Sequence, residues 1–440
     1  MPHMGRQACH KASPRGHPMS ATRLQLLYLS QFPPSPPTYG AQRRIAGLLT
    51  ALARRHDVTA VALISPDLDA AEADRSMRSY CKRVVLVPAR PWAGTGKRLL
   101  QLRALVSRRS FEHHFFHLRA LRPLLQRLLS EQAFDVLNVE HPFLAHLALK
   151  QLPQGPPLPV RVLDEHNIEF DLARQQAGNE QGLFRRIHNA TNWPKIRAEE
   201  VEAFNAFDGV TFCSEADEAR ARVLAPLLRS AVVPNAVDVQ YFQPSKALPP
   251  ADGRTVLFFG AINYFPNVDG LLYLLREVWP LLERRHPEAR LKIVGQHPTP
   301  EILAFQGPKV EVTGKVEDVR VHLAGAAVTV APLRVGGGTR FKILEAMAMG
   351  RPVVSTSLGA EGISARPGMD ILLADEPQAF AEAVGRVLET PALAAQLGDR
   401  GRALVEAHYS WDAAGGRLER FFLELLEERG QRPSTAVGAP

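Results

Sequence analysis

Short apolar runs alternate with stretches of helical periodicity along nearly the whole chain. Residues 24–29 are almost wholly apolar and end at Ser30. The Pro-rich QFPPSPPTYGAQ then leads into a stretch of helical spacing from about Ala41 to Arg55. DVTAVALI (57–64), RVVLVPA (83–89), FDVLNVE (134–140), VRVLDEH (160–166) and FDGVTFCSE (207–215) repeat the first run, with helical stretches among them. Continuous apolar runs of this length predict strands covered on both faces. Their alternation with helices predicts a mostly parallel, doubly wound α/β sheet. The passage VVPNAVDVQYFQPSKALPPADGR (232–254) interrupts the rhythm. It restarts with TVLFFGA (255–261), ARLKIVG (289–295), KVEVTG (309–314), AAVTVAP (326–332), RPVVST (351–356) and DILLAD (370–375). The expected organisation is two Rossmann-like halves, 23–240 and 241–410, joined near 238–252. A helix over 411–430 is expected to pack back on the first half, with disordered ends at 1–22 and 431–440. Ligands of such sheets bind at the carboxyl ends of the strands, which between two halves means the cleft.

A chain of 440 residues is too long for one compact core, in keeping with two halves. No apolar run approaches the roughly 20 residues that cross a bilayer. Residues 1–22 are polar and basic without an apolar h-region, so they do not read as a signal peptide, and Met19 is a candidate start. Cys9, Cys81 and Cys213 are odd in number and widely scattered, which points to a reducing cytoplasm and argues against a disulfide framework or a zinc site. The net charge of +8 is unevenly placed: 82–127 carries eleven Lys or Arg against one acid, Glu112. Leucines and Phe111, Phe115 and Phe116 interleave with these cations at near-helical spacing. Two readings stay open for the stretch, a solvated helical surface and a basic amphipathic face resting on anionic lipid. No helix-turn-helix, zinc-finger or RNP-type signature supports nucleic acid as a partner.

The densest chemistry lies in VGGGTRFKILEAMAMGRPVVS (335–355). Gly336, Gly337 and Gly338 follow a predicted strand, and a helix is expected from about Thr339. This order suits anion binding by backbone N–H groups and the positive helix end. Neither GxxxxGK[ST] nor GxGxxG fits the spacing, which disfavours a P-loop or a nicotinamide enzyme. Lys342 and Glu345, at i and i+3, share one helix face, with Ile343, Leu344, Met347 and Ala348 toward the core. The residues alone lead to a phosphate-bearing ligand in the cleft, or to a surface ion pair beside a glycine turn.

PLRVGGGTRFKILEAMAMGRPVVSTSLGAEGI closely resembles the nucleotide-binding segment of the family 4 (group 1) glycosyltransferases, whose fold is GT-B. VPNAVD (233–238), VLFFGA, KIVG and the terminal YSW (409–411) also fit that family in order, so the resemblance covers roughly 24–428. The uninterrupted GGGTRxKILEAMAMG form is similar to sugar transferases of bacterial exopolysaccharide clusters. The resemblance implies transfer of a sugar from a nucleotide diphosphate sugar to a glycan or lipid-linked acceptor, with retained anomeric configuration and no bound metal or cofactor. By it, Glu345 grips the ribose hydroxyls, Gly336–Gly338 and Thr339 admit the sugar and diphosphate, and Arg340 and Lys342 stabilise the leaving group. Gly40 is a turn near the donor phosphate, and His166 matches the active-site His of the first half. Glu140 and His141 end the preceding strand and are candidates for acceptor binding. The family's usual Glu eight residues before Glu345 is here Gly337. Its Arg and Lys after the VLFFG strand are missing from AINYFPNVDG (261–270), which leaves Asn263 and Asn267 as candidates there. A sugar-nucleotide epimerase and a non-catalytic nucleotide-sugar-binding protein are the alternatives.

Overall fold

A computed structural model describes residues 23–37, 39–90, 94–149, 158–178, 182–336 and 339–431. Seven parallel strands form the first sheet: β1 (Gln25–Ser30), β2 (Asp57–Ile64), β3 (Arg83–Pro88), β4 (Val136–Glu140), β5 (Val160–Glu165), β6 (Gly209–Phe212) and β7 (Ser230–Val232). Their spatial order is β3-β2-β1-β4-β5-β6-β7, which contains the 3-2-1-4-5-6 arrangement of doubly wound dinucleotide folds. Six more build the second sheet: β8 (Thr255–Phe259), β9 (Arg290–Val294), β10 (Val310–Gly314), β11 (Val328–Ala331), β12 (Val353–Ser355) and β13 (Leu372–Leu373), in the order β10-β9-β8-β11-β12-β13. Every predicted strand is present, and β7 was not predicted.

The strands are apolar on both sides because each sheet has a core on either face. Leu27 and Leu29 of β1 enter one cluster, while Leu26 and Tyr28 enter the opposite one. In the second sheet Val256 and Phe258 point one way, Leu257 and Phe259 the other. Each fully buried side chain of this kind stabilises the fold by about 1.5–3 kcal/mol.

The helix Gly40–Ala53 follows β1 and buries Ile45, Leu48, Leu49 and Leu52, an i, i+3, i+4, i+7 stripe. The C-terminal helix Trp411–Gln431 crosses it and places Phe421, Phe422 and Leu425 in the core of the first sheet. The crossing is close: a Cβ on Gly47 would sit 2.2 Å from the Trp411 ring, and one on Gly415 would sit 2.7 Å from Ala51. The chain ends outside 23–431 and Cys9 lie outside the described residues, and Cys81 and Cys213 are free and buried.

The structure revises the reading of 82–127. The stretch is β3 followed by helices Thr95–Val106, Phe111–Phe116 and Leu121–Glu131, not one long face. Phe111, Phe115 and Phe116 are core residues, so they cannot rest on a lipid surface. Several of the cations pair locally: Lys82 with Asp57, Arg83 and Arg127 with Glu131, and Arg109 with Glu202. What stays exposed on an apolar stripe is Leu99, Leu102 and Val106 of the helix Thr95–Val106, beside Arg98 and Arg103.

Candidate active site

Two helix starts meet at the cleft. Gly40 opens the helix after β1, and a Cβ there would lie 3.2 Å from the Phe341 ring, which opens the helix Phe341–Ala348 of the second half. Both positive ends therefore point toward shared space. One turn further in, Arg43 of the first helix donates to Glu345 Oε1 of the second. Glu345 is buried, and burial pushes its pKa up against the pull of Arg43 and Lys342.

The cations beside it differ in their partners. Lys342 Nζ donates to Asn267 Oδ1 at 2.7 Å and lies 3.9 Å from the Phe258 ring centroid. Burial, helped by Arg340, pushes its pKa down to about 7. The Nε and Nη2 atoms of Arg340 are closed off from solvent and have no hydrogen-bond partner among the described residues. Gly336 has φ +105°, and a Cβ there would meet Arg340 Nη2 at 3.4 Å. The positive φ favours glycine here, and the position lies in van der Waals contact with the guanidinium. Glu361 and Asp217 attract this cation but do not fully offset its burial, and an anionic ligand would pair the two bare nitrogens.

Within the loop after β8, Asn267 reaches this cluster, and Asn263 is exposed. The helix starting at Phe265 turns Asn267 inward, where its Nδ2 also donates to the Ala261 carbonyl at 2.7 Å. Gly337 and Gly338 lie outside the described residues. The Thr339 hydroxyl spends its proton within the protein: Oγ1 donates to the Cys213 carbonyl of the first half at 2.9 Å.

A second cluster sits at the carboxyl ends of β4 and β5. His166 Nε2 lies 2.9 Å from Glu140 Oε2 and 3.4 Å from Asp164 Oδ2. Burial alone would lower the pKa of His166, but Asp164 and Glu140 outweigh it and raise it to about 9. Asp164 carries the lasting negative charge. It is bound by Arg44 through two bonds of 2.8 and 2.7 Å and by Thr211 Oγ1 at 2.5 Å, and despite its burial Arg44 and His166 hold its pKa low. Glu140 is pushed up by burial and by Asp164. The imidazolium keeps Nδ1 free of any hydrogen bond among the described residues, aimed away from its carboxylates. His141 has φ +79°, rare for a residue with a Cβ, and its Nε2 pairs with Glu169 at 3.0 Å. Strain of this kind at a strand end marks a constrained site.

The two clusters are joined. Arg44 Nη1 also lies 3.3 Å from Asn235 Oδ1, and Asn235 Nδ2 donates to the Thr339 carbonyl at 3.0 Å. A chain of polar contacts thus runs from His166 through Asp164, Arg44 and Asn235 to the glycine-rich segment of the other half. Along the same cleft, Ile168, Asp171 and Gln175 of the first half and Arg334, Gly336 and Leu358 of the second line one cavity. Arg43, Arg44 and Asn235 were missed in the sequence. The available signal was that Arg44 falls in register with the buried stripe, four residues before Leu48.

Family models match both halves: "Glycosyltransferase Family 4" over 38–241 and "Glycosyl transferases group 1" over 253–390. The chain belongs to the family 4 (group 1) glycosyltransferases. Among curated relatives, an uncharacterised 44.6 kDa protein of the Klebsiella pneumoniae cps region is 23% identical over 50% of this chain and 58% of its own length. A GDP-mannose-dependent alpha-(1-6)-phosphatidylinositol monomannoside mannosyltransferase of Mycolicibacterium smegmatis is 30% identical over 51% of this chain and 63% of its own. The chain thus spans under two thirds of either relative. Of the solved structures, the sucrose-phosphate synthase of Thermosynechococcus elongatus is 18% identical with a TM-score of 0.68, covering 92% of this chain and 100% of that one. Anabaena HepE, solved with UDP and glucose, is 14% identical with a TM-score of 0.62, covering 90% and 99%. The two-sheet architecture of this glycosyltransferase is GT-B.

Proposed function

We propose that the enzyme transfers a sugar from a UDP- or GDP-sugar to a glycan or lipid-linked acceptor, with retention and without a bound metal, in the synthesis of exopolysaccharide or another cell-envelope glycan. The observation that carries this is the pair of buried Arg340 nitrogens, Nε and Nη2, without a partner among the described residues, beside Lys342 and the buried Glu345 on one short stretch at the cleft. Glu345 would accept the two ribose hydroxyls. Arg340 and Lys342 would hold the diphosphate and stabilise its charge as the glycosidic bond breaks, the part that a divalent cation plays elsewhere. His166, protonated near neutrality, is a hydrogen-bond donor and not a base. The acceptor proton therefore leaves on a donor phosphate oxygen, on the face from which the diphosphate departs. That geometry retains configuration. The phosphatidylinositol monomannoside mannosyltransferase in Mycolicibacterium supports a lipid-linked acceptor, the cps-region relative in Klebsiella is in keeping with an envelope-glycan role, and the UDP-bound Anabaena structure supports a nucleotide donor.

The pKa of Lys342 supplies a test. Free Lys342 titrates at about 7, and a bound diphosphate would raise that value by supplying opposite charge. Binding therefore takes up a proton, so UDP or GDP affinity should be highest below pH 7 and fall about tenfold per pH unit above it, until the bound-state pKa is reached. Calorimetric titration from pH 6 to 9 reads this directly. Lys342→Arg, charged throughout, should bind with a flat profile. A flat profile in the wild type would remove Lys342 from the diphosphate.

Among the described residues no helix is long and apolar enough to cross a membrane. A lipid-linked acceptor would be reached from the cytoplasmic face of the membrane. The helix Thr95–Val106, with exposed Leu99, Leu102 and Val106 beside Arg98 and Arg103, is the surface proposed to rest there. Each basic residue near an anionic leaflet contributes about 1 kcal/mol. Co-sedimentation should require anionic vesicles, fade with added salt and fall sharply on Leu102→Ser with Arg103→Ser. Equal partitioning to neutral and anionic vesicles, or none to either, would refute it.

A further inference from the structure

Away from the cleft, the first half carries a group of three histidines that the transfer reaction does not use. His113 lies on the helix Phe111–Phe116 and His117 directly follows it, at i and i+4, so both share one face. His146 comes from the neighbouring helix Ala145–Leu149. The rings converge: His113 and His146 have centroids 4.4 Å apart, His117 and His146 5.4 Å, and His113 and His117 6.0 Å. One ring nitrogen from each lies within 4.8 Å of the others.

The surroundings prepare these rings as ligands. His146 Nδ1 lies 3.1 Å from the Phe143 carbonyl oxygen. A carbonyl only accepts, so Nδ1 carries the proton and Nε2 keeps its lone pair. That Nε2 is buried with no hydrogen-bond partner among the described residues. A ligating histidine typically donates its other N–H in this way, which fixes both tautomer and ring orientation. Burial, and the neighbouring cations and rings, hold the pKa of His113 down to about 4 and that of His146 to about 3. Arg109, the closest cation, is paired with Glu202 at 2.7 Å, and Glu199 lies 3.7 Å from His113 Nδ1. Acidic groups thus offset the local positive charge.

We propose that His113, His117 and His146 bind one divalent late first-row metal ion, Zn2+ or a close substitute, with water completing a tetrahedral site. Three imidazoles suit Zn2+, Ni2+ or Cu2+ and not Mg2+ or Ca2+. Tetrahedral Zn–N bonds of about 2.0–2.1 Å put the nitrogens about 3.4 Å apart, so the three nitrogens, within 4.8 Å of one another here, would draw together on binding. The ion would fasten the helix Phe111–Phe116 to the segment after β4. That segment begins at the strained His141 and runs through the single turn Pro142–Leu144 to His146. The role is structural and separate from sugar transfer.

The test uses full-length protein stripped of metal by chelation. Zn2+ should bind with one-to-one stoichiometry by calorimetry and raise the melting temperature. Co2+, as a spectroscopic probe, should give the intense visible bands of a tetrahedral site, while Mg2+ and Ca2+ should do nothing. His117→Ala is exposed enough to fold normally, and it and His113→Gln should weaken Zn2+ binding at least tenfold and abolish the Co2+ bands. His322→Ala, in the other half, should bind like the wild type. Undetectable Zn2+ binding, or equal binding by the wild type and both triad variants, would overturn the proposal, the first leaving a packed cluster of neutral rings and the second placing the metal elsewhere.

Discussion

Glu345→Ala is expected to weaken UDP or GDP binding about a hundredfold while the protein stays folded. Two vicinal hydroxyls donating to one carboxylate form two charge-assisted bonds, each contributing about 1.5 kcal/mol or more. Together these convert to a factor of about 10² in affinity. The fold should tolerate the change because Glu345 makes no bond within its own helix face that the core needs. Its partner Arg43 reaches it from the other half with a side chain 41% exposed, which water can solvate once the carboxylate is gone. Neighbouring Ile343, Leu344, Met347 and Ala348 carry the packing of that helix and are untouched. Circular dichroism and melting should match the wild type, and calorimetry should show the loss. Unchanged affinity in a folded variant would sink the ribose role.

Arg340→Ala is expected to lower kcat by about 10²–10³, the range found when one preorganised donor to developing charge is removed. Its effect on stability should have the opposite sign or be negligible. In the free enzyme the Nε and Nη2 of Arg340 are buried without partners, and burial pushes the guanidinium pKa down. Deleting two buried, unpaired nitrogens relieves a cost that the attraction of Glu361 and Asp217 only partly offsets. Lower turnover with an equal or higher melting temperature is a pairing that a structural role for Arg340 would not give. Near-native turnover would move the diphosphate to other groups.

The legibility of this chain followed the physics of burial. Strands in the middle of a doubly wound sheet are covered on both sides, so β1, β2 and β8 appear as almost wholly apolar runs. β7 escaped because Ser230–Val232 is a three-residue edge strand of half-buried residues, too short to leave a pattern. Gly336 and the helix from Phe341 could be read because positive φ and a helix start both demand particular residue types. The cross-cleft partners could not. Arg43 and Arg44 look like the polar face of an amphipathic helix, and only the folded structure shows Arg43 reaching Glu345 of the other half and Arg44 fully buried against Asp164 within its own half. Asn263 and Asn267 were equal in the sequence until the helix beginning at Phe265 turned one inward. The phenylalanines between 111 and 116 misled in the opposite sense. Their spacing among cations suggested an amphipathic face toward lipid, whereas the break at Ser107–Ser110 folds that helix onto the sheet and makes them core.

The most direct measurement is transfer itself. Purified enzyme is incubated with radiolabelled UDP- and GDP-sugars and a panel of glycan and lipid-linked acceptors, and the anomeric proton of the product is read by NMR from the start of the reaction. Acceptor-dependent transfer should occur, the new linkage should have the same anomeric configuration as the donor, and added Mg2+ or Mn2+ should leave kcat/KM unchanged. A product of opposite configuration would contradict the role given to His166 and the donor phosphate, and epimerised donor without transfer would contradict the assignment as a whole.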